Sequence, residues 1–140
     1  MKIKICSRAV LEKMSGSGFD PHTAVISITD VDEKEVGFYR EPEFLLRLCF
    51  DDINSPFDMY GDSRKLALNL FSREQADQIA EFVFHCKDHI DTLICQCRWG
   101  YSRSSAVATA VKEYFFHEGM EIFSDEEYYP NLYVFRECLK

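Results

Sequence analysis

Thr92-Leu93-Ile94-Cys95-Gln96-Cys97-Arg98-Trp99-Gly100-Tyr101-Ser102-Arg103-Ser104-Ser105-Ala106-Val107-Ala108 joins three kinds of segment. Thr92 to Gln96 is a short apolar run, which predicts a strand. Cys97 to Ser102 is polar and contains Gly100, which permits the backbone angles of a tight turn. From Arg103 to His117 small and apolar residues follow helical spacing, and Gly119 is placed to stop the helix. A strand that enters a helix through a tight loop is the unit of an α/β domain, with its cleft at the C-terminal end of the strand.

The remaining chain repeats the alternation. Lys2–Cys6, Ala24–Ile28 and Leu45–Phe50 read as strands. Ser7 caps a short helix through Met14, which the Ser15-Gly16-Ser17-Gly18 cluster ends. The acidic stretch from Asp30 to Glu35 reads as a solvated loop or helix start, and Asp51 to about Lys65 as a polar loop. Ser72-Arg73-Glu74-Gln75 fits a capping box, and Ala76, Ile79, Val83, Cys86 and Ile90 follow it at helical spacing. Asn131 to Leu139 reads as a C-terminal helix. With no repeat and no linker, residues 1–140 are expected to form one three-layer α/β domain. A mainly parallel central sheet of four or five strands would be flanked by helices, with Thr92–Gln96 central.

The loop concentrates chemistry. A helix N-terminus carries unpaired N–H groups and the positive end of the dipole. A tight loop leading into it adds inward N–H groups, so Arg98, Trp99, Gly100, Tyr101, Ser102 and Arg103 would line an anion cradle. A cysteine at its mouth, Cys97, gains thiolate character, since helix N-termini and nearby cations lower a thiol pKa from ~8.5 into the range ~3.5–7.5. Arg103 supplies that cation and a planar fork suited to two phosphoryl oxygens. Ser104 is placed to donate a hydrogen bond to the sulfur.

This segment resembles the signature loop of the cysteine-dependent protein tyrosine phosphatase superfamily: Cys, five residues with a mid-loop Gly, then Arg and Ser. It is most similar to the dual-specificity branch and to the small predicted bacterial tyrosine phosphatases. The resemblance implies a phosphoprotein phosphatase acting through a phosphocysteine on Cys97, with Arg103 and the loop N–H groups holding the oxygens. It also implies an aspartate general acid on the loop after the third strand. Asp51, Asp52, Asp58 and Asp62 are candidates, and aligning the apolar strands favours Asp52. Strand alternation allows at most one of Asp51 and Asp52 to face the cleft. The family usually carries His before the nucleophile. Gln96 stands there, able to hydrogen-bond the loop backbone but not to carry charge, which makes a weak or inactive phosphopeptide-binding form the alternative. A sulfurtransferase of the rhodanese type also uses a Cys-Arg loop, but one shorter by a residue.

Bulk properties narrow the partners. The net charge of −8, without a basic run, disfavours a nucleic-acid backbone or an anionic membrane as ligand. No stretch approaches the ~18 apolar residues of a membrane span. Six cysteines without a recognisable secretion signal read as free thiols in the cytoplasm. His85 and His89 have a zinc-capable spacing, but no further ligands complete a site, and they read as a solvated face. No metal or organic cofactor is expected. The partner is a phosphorylated protein or small phosphoester. Trp99 is either buried in the protein or set on the rim of the cleft.

Overall fold

The structure, a computed structural model, describes residues 1–53, 70–123, 125 and 127–140. Its centre is a sheet of four strands: β1 (Lys2–Ser7), β2 (Thr23–Thr29), β3 (Phe44–Cys49) and β4 (Thr92–Cys97). The spatial order is β1-β4-β2-β3, and all three pairings are parallel. Strand β4 is therefore interior, with Ser7 level with Cys97 on one side and Ser27 level with Gln96 on the other. Every residue of β2 is buried, as expected of a parallel strand covered on both faces.

The faces follow the two-residue period of a strand. Ala24, Ile26, Ile28, Leu93, Cys95 and Cys97 join one core with Ala76, Ile79, Val83, Ala106, Val107 and Val134. These last come from α2 (Arg73–Cys86), α3 (Arg103–Phe116) and α5 (Leu132–Cys138). Val25 and Ile94 point the other way, against Leu11 of α1 (Arg8–Ser17) and Val36. The result is the expected three-layer α/β arrangement, with the larger core on the α2–α3–α5 side. Truncating a residue such as Ile26 in that core would cost about 2–5 kcal/mol.

Local signals held at helix starts and shifted at helix ends. Ser7 caps α1, accepting from Val10 N. Ser72 and Gln75 form the reciprocal capping box of α2. Helix α1, however, runs through Ser15-Gly16-Ser17 and stops at Gly18, whose φ is 87°. Ser15 is buried there and accepts from Tyr39 N at 2.7 Å, a tertiary contact that carries the helix past the predicted stop. Helix α3 ends before Gly119, because His117 itself takes the left-handed position, with φ 58°. A short α4 (Met120–Phe123) follows, which no sequence signal predicted. Helix α2 ends at Cys86, so His89 lies beyond it and does not share a helical face with His85. Among the described residues no group of three metal-ligating side chains occurs, and no helix is long and apolar enough to cross a membrane.

Candidate active site

Strand β4 delivers Cys97 to the C-terminal end of the sheet, and α3 starts six residues later at Arg103. The Cys97 side chain is buried, with Sγ 3.1 Å from Ser104 Oγ in the first turn of α3. Between them Gly100 adopts φ 75°. A Cβ at that position would lie 2.8 Å from both Cys6 C and Ser7 N. The glycine therefore serves two purposes: a left-handed turn, and close approach to the end of β1.

The loop carbonyls are drawn outward by neighbouring elements. Arg98 O accepts from Arg8 N at 3.1 Å, Tyr101 O from Tyr129 N at 2.9 Å, and Ser102 O from Asn131 N at 3.1 Å. A trans peptide directs the next N–H opposite to its carbonyl. The N–H groups of Trp99, Ser102 and Arg103 consequently point away from those donors, which suits the cradle expected from sequence.

The Arg103 side chain is 4% exposed. Its Nη1 donates to Asp30 Oδ1 at 2.6 Å and to Phe50 O at 2.8 Å, while Nε is buried without a partner. One nitrogen of the fork is thus fixed by the ends of β2 and β3. The Nε edge remains for a bidentate anion. Asp30 also faces Arg98, with Nη1 of Arg98 3.7 Å from Asp30 Oδ2.

Of the two adjacent carboxylates, Asp52 reaches the loop. Its Oδ1 accepts from Ser102 Oγ at 2.9 Å and from Asn131 Nδ2 at 2.8 Å. Asp51 turns elsewhere and accepts from Val31 N at 3.0 Å. Asp58 and Asp62 lie outside the described residues. Gln96 does not bond the loop backbone as anticipated. Its Oε1 accepts from Ser27 Oγ at 2.6 Å, and its buried Nε2 has no partner. Gln96 lies level with Ser27 on neighbouring β2, and that hydroxyl takes the amide oxygen.

Trp99 and Tyr101 are exposed, Trp99 by 65%. The Arg98 guanidinium lies 5.4 Å from the Trp99 ring centroid. Of the two placements left open for Trp99, the structure has the surface one. Loss of solvation acts on the other thiols near the sheet. It pushes Cys6 and Cys138 up to about 12, with nearby Cys97 adding to the effect at Cys6 and Glu137 at Cys138. Burial raises Cys95 and Cys86 as well.

Sequence reasoning missed two residues of this constellation. In the sequence Asp30 opens an acidic stretch that reads as a solvated loop or helix start. The available signal was its position directly after a run rich in β-branched and apolar residues, at the same edge that carries Cys97. Asn131 shows in the sequence only as the start of the C-terminal helix.

The comparison with solved structures identifies the fold. No protein-family model matches the sequence, and no curated protein matches it at a significant level. Among solved structures, PTPMT1 in complex with PI(5)P superposes with a TM-score of 0.59 at 11% identity, over 99% of this chain and 88% of that one. The human tyrosine phosphatase-like serine/threonine/tyrosine-interacting protein gives 0.57 at 15% identity, over 95% and 82%. Tk-PTP in its active form gives 0.55 at 16% identity, over 99% and 92%. This chain has the fold of those tyrosine-phosphatase-like proteins.

Proposed function

We propose that residues 1–140 form a cysteine-dependent phosphomonoester hydrolase of the tyrosine or dual-specificity type, acting on phosphoproteins in the cytoplasm. The observation that carries this reading is the state of Arg103: Nη1 is held by Asp30 and Phe50, while the buried Nε is left without a partner beside the Cys97 loop. A buried donor costs free energy unless it is satisfied, and a phosphoryl oxygen would satisfy it.

In the proposed reaction the Cys97 thiolate attacks phosphorus, and the P–O bond to the leaving group breaks. Asp52 gives its proton to the departing oxygen. Arg103 and the loop N–H groups balance charge on the equatorial oxygens. Water then attacks the phosphocysteine, Asp52 takes its proton, the P–S bond breaks and the thiolate returns. Ser104 Oγ, 3.1 Å from the sulfur, stabilises the thiolate as leaving group. Every proton is accounted for by Asp52 and water, so the cycle requires no cofactor.

One observation favours a second reading, a phosphopeptide-binding protein with little turnover. Gln96 is neutral, buried and bonded to Ser27, so it contributes no charge next to the nucleophile. Both readings are tested by turnover of p-nitrophenyl phosphate by wild type and Cys97→Ser, with vanadate as competitor. Turnover that vanadate inhibits and Cys97→Ser abolishes supports the hydrolase. Vanadate binding without phosphate release identifies the binding form. Turnover that survives Cys97→Ser overturns the nucleophile assignment.

A further inference from the structure

Asn131 is wholly buried, and its amide has one possible orientation. As N-cap of α5, its Oδ1 accepts from Val134 N at 3.1 Å. A backbone N–H only donates, so the oxygen must face it and the nitrogen must face away. That nitrogen, Nδ2, donates to Asp52 Oδ1 at 2.8 Å and to Ile53 O at 3.1 Å. The Asn131 backbone N–H donates to Ser102 O at 3.1 Å, and Ser102 Oγ donates to Asp52 Oδ1 at 2.9 Å. Three segments far apart in sequence thus close a ring: the end of β3, the signature loop and the entry to α5. Tyr129 N on Tyr101 O, at 2.9 Å, adds a second tie between that entry and the loop.

We propose that Asn131 is a positioning residue that determines which oxygen of Asp52 carries the transferable proton. The inference rests on the reading of Asp52 as general acid. An oxygen that accepts two hydrogen bonds behaves as the carbonyl oxygen of a carboxylic acid, so the proton resides on Oδ2. Asp52 is itself exposed, which leaves Oδ2 open to a substrate. A general acid must lie within hydrogen-bond reach of the leaving oxygen, and geometry precedes pKa in that requirement. Without the amide, the carboxyl group rotates and the proton exchanges between two oxygens, of which one faces the leaving group. Ser102 alone cannot prevent this, because a hydroxyl both donates and accepts. Asn131 can only donate through Nδ2, and the cap on α5 holds it to that role.

The test separates positioning from folding by leaving group. Asn131→Ser keeps a good N-cap residue and removes the amide donor. Asn131→Asp keeps size and cap and replaces the donor by an acceptor. Turnover is measured with phenyl phosphate, a poor leaving group, and p-nitrophenyl phosphate, a good one, beside Asp52→Asn and with melting temperatures. Both Asn131 variants are expected to lose severalfold to roughly tenfold on phenyl phosphate, the size of one neutral hydrogen bond, and much less on p-nitrophenyl phosphate. Equal loss on both substrates, following a lowered melting temperature, would make Asn131 purely structural and overturn the inference. If Asp52→Asn shows the leaving-group split and the Asn131 variants do not, the inference fails while Asp52 stands as acid. If Asp52→Asn shows no split, the acid assignment fails and the inference with it.

Discussion

Asp30 Oδ1 accepts a 2.6 Å hydrogen bond from Nη1 of Arg103, across 73 residues of chain. The pair joins the ends of two adjacent parallel strands: β2 ends one residue before Asp30, and β4 leads through the loop into Arg103. With Nη1 also on Phe50 O, the guanidinium plane cannot turn without breaking two bonds. Asp30→Asn keeps an acceptor and removes the charge. Hydrogen bonds to charged groups contribute about 1.5–3 kcal/mol, so turnover of p-nitrophenyl phosphate should fall by at least tenfold. Arg103→Lys loses the planar fork and should fall further. In the Arg103→Lys background Asp30→Asn should cost little more, because both changes remove one interaction. Additive losses would show that Asp30 does not act through Arg103.

Gly100 and Gly16 provide a contrast in what a methyl group does. A Cβ at Gly100 meets backbone atoms of Cys6 and Ser7 at 2.8 Å, and φ is 75°. Backbone cannot step aside as a flexible side chain can. Gly100→Ala should lose about 1–3 kcal/mol in strain, read by urea denaturation, together with most turnover as the loop shifts. Nothing lies within 4 Å of a Cβ at Gly16, which sits inside α1. Gly16→Ala should be stabilising by about 0.4–1 kcal/mol and leave turnover intact. A Gly100→Ala protein with normal stability and kinetics would mean that the loop has slack at its contact with β1.

These contrasts bear on what was legible in the sequence. Strand positions were readable because a parallel strand buried on both faces is dominated by apolar and β-branched residues, as Thr23–Thr29 is at every position but Ser27. The capping box at Ser72 and the cap at Ser7 were readable because they are local. Helix ends were less so: the stop of α1 was decided by Ser15 meeting Tyr39, a contact 24 residues away in sequence. The Cys97–Arg103 loop is contiguous in sequence and can be read as one unit. Its partners Asp30 and Asn131 come from other segments and show only when the sheet order β1-β4-β2-β3 brings their ends together. The orientation of Gln96 was missed for a related reason: the neighbour that takes its amide oxygen, Ser27, is 69 residues away.

Thiolate fraction should make alkylation selective. Cys6 and Cys138 are pushed up to about 12 by loss of solvation, and Cys95 and Cys86 are raised for the same reason. At neutral pH these four thiols are protonated and unreactive. Iodoacetate at neutral pH, followed by peptide mass mapping, should therefore label Cys97 and exposed Cys49 and spare the others. Inorganic phosphate should protect Cys97 and not Cys49, because the anion competes for the loop. Labelling of Cys97 that phosphate does not slow would argue against an anion cradle. Labelling of Cys6 ahead of Cys97 would place the reactive thiolate on the wrong strand.

Trp99 offers a handle on substrate class. Its Cα belongs to the Cys97–Arg103 loop, yet 65% of the residue is exposed and its ring lies under the Arg98 guanidinium. Arg98 in turn faces Asp30, so the indole is tied to the charged edge of the site by a chain of contacts. Tyr101, also exposed, follows two residues later on the same loop. An aromatic ring bound against Trp99 would gain about 0.5–1.5 kcal/mol beyond its buried area, close to a tenfold preference at most. Such a surface side chain contributes little to stability, within about 0.5 kcal/mol. Trp99→Ala should therefore leave the melting temperature unchanged and reduce kcat/KM on a phosphotyrosine peptide severalfold, while a phosphoserine peptide of the same sequence is little affected. Arg98→Ala, which frees the indole, should produce part of the same loss. Equal losses on both peptides at constant melting temperature would show that Trp99 does not contact the tyrosyl ring.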